Sequence, residues 1–262
     1  MTRSLLRFSI ILLSVIIIAC SNDKLEKGFS VNTVNEEDTE VIDGVNKSLD
    51  KLKVRPGDVL TTYHNEHRLT PVFLVNKRKD EKGTFIGTPH FYSNYSNLSK
   101  SKTWGNNWHY NYLPGLEAMS GYNLVNISHY NTITQKANNF FDEPVLIKTL
   151  YYPAYTKDTL NFSPVQRNYY LVSAYTQDTN NDGYINEHDL RRFYYFPLEA
   201  TEPTLLIPEQ YAVVSSTYDS ANDYLLVYAQ LDEDKNGKRD AEEVQHVFWI
   251  DLKNPLNNGR MY

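Results

Sequence analysis

Tyr169-Tyr-Leu-Val-Ser-Ala-Tyr-Thr-Gln-Asp178-Thr-Asn-Asn-Asp-Gly-Tyr-Ile-Asn-Glu-His-Asp189 is the stretch on which the fold turns. Its first eight residues are rich in tyrosine, valine and threonine, the side chains that favour a pleated, half-buried surface. Its last twelve have the spacing of a calcium loop. Calcium takes six to eight hard oxygen ligands in a flexible cage. Such a loop places short oxygen-bearing side chains at positions 1, 3 and 5, a glycine at 6, a carbonyl at 7 and a carboxylate at 12. Asp178, Asn180, Asp182, Gly183, the Tyr184 carbonyl, Asn186 and Asp189 fill those places. In a helix-loop-helix calcium hand a helix leads into the loop; here a strand does.

The pattern recurs. Tyr224-Leu-Leu-Val-Tyr-Ala-Gln-Leu leads into Asp232-Glu-Asp-Lys-Asn-Gly-Lys-Arg-Asp-Ala-Glu-Glu243. Asp232, Asp234, Asn236, Gly237, the Lys238 carbonyl, Asp240 and Glu243 take the same positions. A shift of 54 residues lays Asp178 on Asp232, Tyr170-Leu171 on Tyr224-Leu225, and Phe193-Tyr-Tyr-Phe196 on Val247-Phe-Trp-Ile250. Before each copy stands a further candidate strand, Val145 to Tyr152 and Ala212 to Tyr218. The unit is a β-meander in which a calcium loop replaces a hairpin turn. Only His188-Asp-Leu and Ala241-Glu-Glu-Val, which leave the loops, look like a helical turn. The calcium-loop repeats cover about residues 145–252, and two structural Ca2+ ions are the expected cofactors.

Upstream the same alternation of strand formers and turn residues continues. Val59 to Tyr63, Pro71 to Asn76, Phe85 to Thr88 and Asn123 to His129 are candidate strands, with a long irregular segment between the last two. Thr204 to Ile207 is another. No helix longer than a turn or two is expected after residue 55, so the chain reads as all-β. The strand–loop–strand repeat, with its D-x-N-x-D-G loop, resembles the β-propeller-like repeats of bacterial envelope proteins. The resemblance covers roughly residues 120–252. It implies blades stacked in series, here about three, where a closed single-chain propeller has at least four.

The first nineteen residues read as a targeting segment. Arg3 and Arg7 precede an apolar run from Phe8 to Ile18, broken only by Ser9 and Ser14 and too short to span a bilayer, which takes about 20 apolar residues. Ile17-Ile18-Ala19-Cys20 resembles a bacterial lipobox, which implies cleavage before Cys20 and lipidation of its thiol. Cys20 is the single cysteine of the chain, so no internal disulfide and no thiolate metal site is expected. By the same resemblance Ser21 fits sorting to the outer membrane, facing either the periplasm or the cell surface. Residues 20–55, with Asn35-Glu-Glu-Asp-Thr-Glu40, read as a polar tether with little to bury, apart from Val45, Leu49 and Leu52. Residues 56–262 are the expected β domain.

Charge narrows the function. The formal net charge is -6, and losing Arg3 and Arg7 takes it to -8, which argues against nucleic acid or anionic lipid as a partner. His64-Asn-Glu-His67 has its histidines three apart, not the four of a zinc-protease helix, and lies in a strand or loop context. Trp104-Gly-Asn-Asn-Trp108-His-Tyr-Asn-Tyr112 either covers the sheet or offers Trp104 and Trp108 as faces for a sugar ring. There is no G-x-S-x-G elbow and no phosphate-binding glycine loop. The expectation is a membrane-anchored, calcium-binding lipoprotein that works as a binding or interaction module, its partner another envelope protein or a glycan. A calcium-stabilised hydrolase of glycans is the alternative.

Overall fold

A computed structural model of the chain describes residues 28–31, 52–77, 84–86, 89–92 and 113–262. Arg3, Arg7, Cys20, Trp104 and Trp108 lie outside the described residues. Every regular element among those described is a β-strand. The first are β1 (Phe29–Ser30), β2 (Val54–Pro56), β3 (Leu60–Thr61), β4 (His67–Lys77), β5 (Thr84–Ile86) and β6 (Pro89–Tyr92). Then come β7 (Leu116–Gly121), β8 (Leu124–Asn131), β9 (Lys136–Asn139), β10 (Leu146–Pro153), the small hairpin of β11 (Asp158–Leu160) and β12 (Ser163–Val165), and β13 (Tyr169–Tyr175). The chain closes with β14 (Tyr184–Ile185), β15 (Arg192–Pro197), β16 (Thr204–Leu205), β17 (Tyr211–Asp219), β18 (Tyr224–Leu231), β19 (Gln245–Asp251) and β20 (Asn258–Arg260).

Three larger antiparallel sheets result. The first is β2-β4-β8-β9, with β3 and β5 also on β4; the central one is β16-β15-β13-β10-β7-β6; the third is β17-β18-β19-β20. The described residues are all-β, as the composition and alternation predict. The irregular segment expected between residues 88 and 123 ends in a strand, since β7 sits in the central sheet between β6 and β10.

The central sheet is covered on both faces. All seven residues of β13 are buried. Tyr169 and Leu171 pack with Leu225, Val227, Phe248 and Ile250 of the third sheet. Tyr170, Val172 and Ala174 pack with Leu69, Phe73, Leu124 and Ile127 of the first. A strand buried on both faces reads as a continuous apolar run, which is why Tyr-Tyr-Leu-Val-Ser-Ala-Tyr shows no alternation. β18, in the outer third sheet, alternates buried Leu225 and Val227 with half-buried Tyr224 and Leu226. The three sheets stack as propeller-like layers, although β6 and β7 of the central sheet come between β4 and β8 of the first in the chain.

The repeat holds in topology but not in register. Tyr170 pairs with Phe196 across β13 and β15. The shift that aligns the sequences predicts Tyr224 opposite Ile250, but Ile250 pairs with Leu225. The pairing of the second hairpin is therefore displaced by one residue. In a sheet one residue exchanges the two faces. The third sheet has one core-facing side, so Leu225 and Ile250 must share it; both are fully buried.

A buried ion pair joins the central and third sheets. Arg167 donates from Nη2 to both Asp223 oxygens, at 2.8 and 3.0 Å, from Nε to the Pro114 carbonyl and from Nη1 to the Leu252 carbonyl. Tyr169 donates to the same Leu252 carbonyl and Tyr218 to Asp223. Burial pushes the Tyr218 phenol up, and the Asp223 charge adds to it.

Candidate metal centre

One loop leaves the fully buried β13, the other the half-buried β18, and both follow one backbone path. Position 4 is left-handed in each, with φ of 56° at Asn181 and 59° at Lys235; position 6 is too, with 85° at Gly183 and 72° at Gly237. Asp178 accepts the Asp182 and Gly183 amides at 3.1 and 2.8 Å. Asp232 accepts those of Asn236 and Gly237 at 3.1 and 3.2 Å. Asn180 and Asp234, at position 3, accept the amide of position 5. Asp182 and Asn236, at position 5, accept that of position 7, Tyr184 or Lys238. Each short side chain thus caps a local turn through its own backbone, the conformational habit that suits Asp and Asn to such loops.

The closing carboxylates are held alike. Asp189 accepts the amides of Thr179 and Asn186, both at 2.8 Å. Glu243 accepts those of Glu233 and Asp240, both at 3.1 Å. Positions 2 and 9 therefore fix position 12 in both loops, although one residue is a methylene shorter.

The charge of the loops differs. Oxygens of Asp232, Asp234 and Glu243 lie within 4.8 Å of one another, the one such group of three among the described residues. Asn236 Nδ2 bridges from Asp234 to Asp240 at 3.0 and 2.6 Å. In the first loop neutral Asn180 takes the place of Asp234. There Asp189 is buried, and that burial raises its pKa, opposed by the amides of Asn186, Thr179 and Asn180. Asn186 turns its amide oxygen to the His188 N–H at 2.7 Å.

Their surroundings differ as well. β1 pairs with β14 inside the first loop, Phe29 opposite Ile185 and Ser30 opposite Tyr184. The Val31 amide donates to the Gly183 carbonyl at 2.9 Å. Phe29 and Ile185 are buried with Leu146 and Tyr175. Part of the segment that reads as tether is thus a lid on this loop. In the second loop exposed Arg239 stands where Ile185 does, and no strand covers it among the described residues. The loops also touch. Thr179 Oγ1 donates to the Gly237 carbonyl at 2.6 Å, and a Cβ on Gly237 would come within 1.8 Å of the Thr179 carbonyl oxygen. Thr179 and Phe29 escape sequence reading because neither belongs to a ligand position.

Of the histidine pair, His67 faces inward. Its Nδ1 lies 2.8 Å from His129 Nε2, and His129 Nδ1 lies 3.0 Å from Asn138 Oδ1. Burial lowers the His67 pKa and the His129 charge adds to that.

Two cavities open nearby and elsewhere. One, about 260 Å3, is lined by Tyr63, His64, Asp158 and Arg167. The other, about 240 Å3, lies against the first loop and holds Asp189, Arg191 and Arg239. Burial lowers the pKa of Arg191, and the Arg239 charge pushes the same way. Compared with known protein families and curated proteins, the sequence matches no family and no curated protein.

Proposed function

We propose that the chain is an envelope lipoprotein, anchored through Cys20, whose β domain binds two calcium ions and serves as a binding or interaction module. The observation that carries the calcium reading is the common path of the two loops: left-handed turns at positions 4 and 6 in both, with Asp232, Asp234 and Glu243 converging in the second. Three carboxylates so close repel one another, and a divalent cation with a taste for oxygen removes that cost. The residues that would hold the ions are Asp178, Asn180, Asp182, Tyr184, Asn186 and Asp189 in one loop and Asp232, Asp234, Asn236, Lys238, Asp240 and Glu243 in the other. The role is structural. Each ion pins a polar excursion between two strands.

The glycan-hydrolase reading needs a pair of carboxylates flanking a substrate. Of the two cavities the larger is lined by one, Asp158, which accepts the Gly115 amide at 2.9 Å, and the smaller by two, of which Glu187 is paired with Lys148 and Asp189 accepts the Thr179 and Asn186 amides. The binding-module reading is therefore preferred.

Calcium titration tests it. A ligand that binds only the native state adds about 2.7 kcal/mol at a hundredfold excess over Kd. Tm is expected to rise with millimolar calcium and fall with chelator; an unchanged Tm would sink the calcium reading. The anchor is tested by Cys20→Ala, expected to release the protein from the membrane fraction. If the variant still fractionates with membranes, the lipobox reading is wrong.

A further inference from the structure

β1 comes to the first loop from far back in the chain, and its register decides where one ligand of that loop points. Val31 donates its amide to the Gly183 carbonyl at 2.9 Å, and the pairing runs on as Ser30 with Tyr184 and Phe29 with Ile185. Hydrogen-bonded and non-hydrogen-bonded pairs alternate along an antiparallel ladder. Val31 and Gly183 are a bonded pair, so Ser30 and Tyr184 are not, and the N–H and C=O of Tyr184 both turn away from β1. The Tyr184 amide accordingly lies inside the loop, on Asp182 Oδ1 at 2.9 Å. Its carbonyl, the position-7 ligand of the calcium reading, leaves the backbone on the same side. Among the described residues no strand gives Lys238, at the same position of the second loop, such a neighbour.

The seat of β1 is narrow. Gly28 donates its amide to Asn123 Oδ1 at 3.1 Å, and Phe29 is buried with Leu146, Tyr175 and Ile185. Gly28 has a φ of 102° and passes so near the loop that a Cβ there would collide with the Ile185 carbonyl oxygen. Only glycine fits that place.

We propose that β1 is a latch coupled to the first calcium site: docked, it aims the Tyr184 carbonyl at the ion, and the bound ion holds the latch shut. The inference rests on the reading of that loop as a calcium site. A strand and a cation that favour the same loop conformation strengthen each other by one shared factor. The latch also sets a leash, on the reading of Cys20 as the anchor. Eight residues run from Cys20 to Gly28, a span of at most about 29 Å. With β1 released, the next described residue held by the domain is Leu52, and thirty-two residues span at most about 115 Å. Calcium then keeps the domain close to the membrane, and its loss lets the domain out.

Calcium calorimetry on the purified full chain tests the coupling. In Asp232→Ala only the first loop binds, and adding Gly28→Ala is expected to weaken that site about tenfold, within the usual range of such couplings. In Asp178→Ala only the second loop binds, and Gly28→Ala is expected to change nothing there, which also reports that the fold is kept. Calcium should slow hydrogen exchange at the amides of residues 28–31, and should fail to do so in Asp178→Ala. The leash is read on vesicles, by energy transfer from a dye on Lys253→Cys, an exposed position, to a labelled lipid. Transfer is expected to rise with calcium in the lipidated chain and not in its Gly28→Ala form. A first-loop affinity unmoved by Gly28→Ala, equal weakening of both loops, or exchange at 28–31 that ignores calcium overturns the latch. Constant transfer beside a measured coupling overturns the leash alone. If calcium binds neither loop, the calcium reading falls and the latch with it. If calcium binds the first loop equally well with and without Gly28→Ala, the calcium reading stands and the latch falls.

Discussion

The two loops share a backbone path and differ in what maintains it. The first is roofed by β1, with Ile185 buried under Phe29, and carries asparagine at position 3. The second lies open, has arginine at position 8, and crowds Asp232, Asp234 and Glu243 together. Both turns share the same amide hydrogen bonds; in one, apolar packing adds to them, and in the other, three carboxylates repel one another with no such roof. One loop shape can thus be kept by two balances of force, and the ligand positions alone do not say which is in use.

The largest expected effect separates the glycines. Gly237→Ala combines a left-handed φ with a clash against the Thr179 carbonyl, whereas Gly183 has nothing near its missing Cβ. Left-handed strain and overpacking together predict a loss of about 4 kcal/mol for Gly237→Ala and about 1 for Gly183→Ala. Urea midpoints measure both. Equal losses would show that loop-to-loop contact contributes nothing.

Removing the roof comes next. Phe29→Ala is expected to cost about 3 kcal/mol, as large-to-small changes at buried aromatics do. The loss should fall on the first loop, seen as faster hydrogen exchange of residues 178–189 with those of 232–243 unchanged. Parallel loss in both loops would mean that they open as one unit.

Calcium affinity sharpens the comparison at lower energy. The second loop has four ligand carboxylates, Asp232, Asp234, Asp240 and Glu243; the first has three, Asp178, Asp182 and Asp189. Ligand charge sets affinity in such loops, so the second should be tighter by about tenfold, or about 1.4 kcal/mol. Calorimetry on Asp178→Ala and Asp232→Ala decides. A tight site that survives Asp232→Ala and vanishes with Asp178→Ala reverses the ranking and puts packing above charge.

Acid should also act away from the two loops. The folded pKa of His67 lies below its unfolded value of about 6.5, so the unfolded chain takes the proton more readily. The stability from neutral, buried His67 is complete above about pH 6.5 and is lost as pH falls through the lower, folded value. His67→Gln should flatten that part of the stability–pH curve by a modest amount. A curve of the same shape in the variant would place the proton elsewhere.

Much of this was legible in the residues. The strands on either side of each loop, β13, β15, β18 and β19, fall where aromatic and β-branched runs place them. β7 was not legible, because Leu116-Glu-Ala-Met-Ser-Gly lacks β-branched residues and becomes a strand through its neighbours β6 and β10. β11 and β12 are too short to stand out from turn residues. The lid β1 was hidden in a polar segment, since a single buried phenylalanine leaves no periodicity.

By itself, then, the sequence determined the local chemistry: which segments extend, where oxygens line a twelve-residue turn, and why glycine stands at its sixth position. Those are short-range properties, decided by side-chain shape and by bonds to a residue's own backbone. Only the tertiary structure decided what the repeats do with it. It set the second hairpin one residue out of register with the first, because an outer sheet has a single face to bury and a central one has two. It roofed one loop and left the other open, seated Gly237 against Thr179, and brought Arg191 and Arg239 to one cleft. Contacts between segments far apart in the chain depend on which surfaces must leave water together, and no local pattern records that.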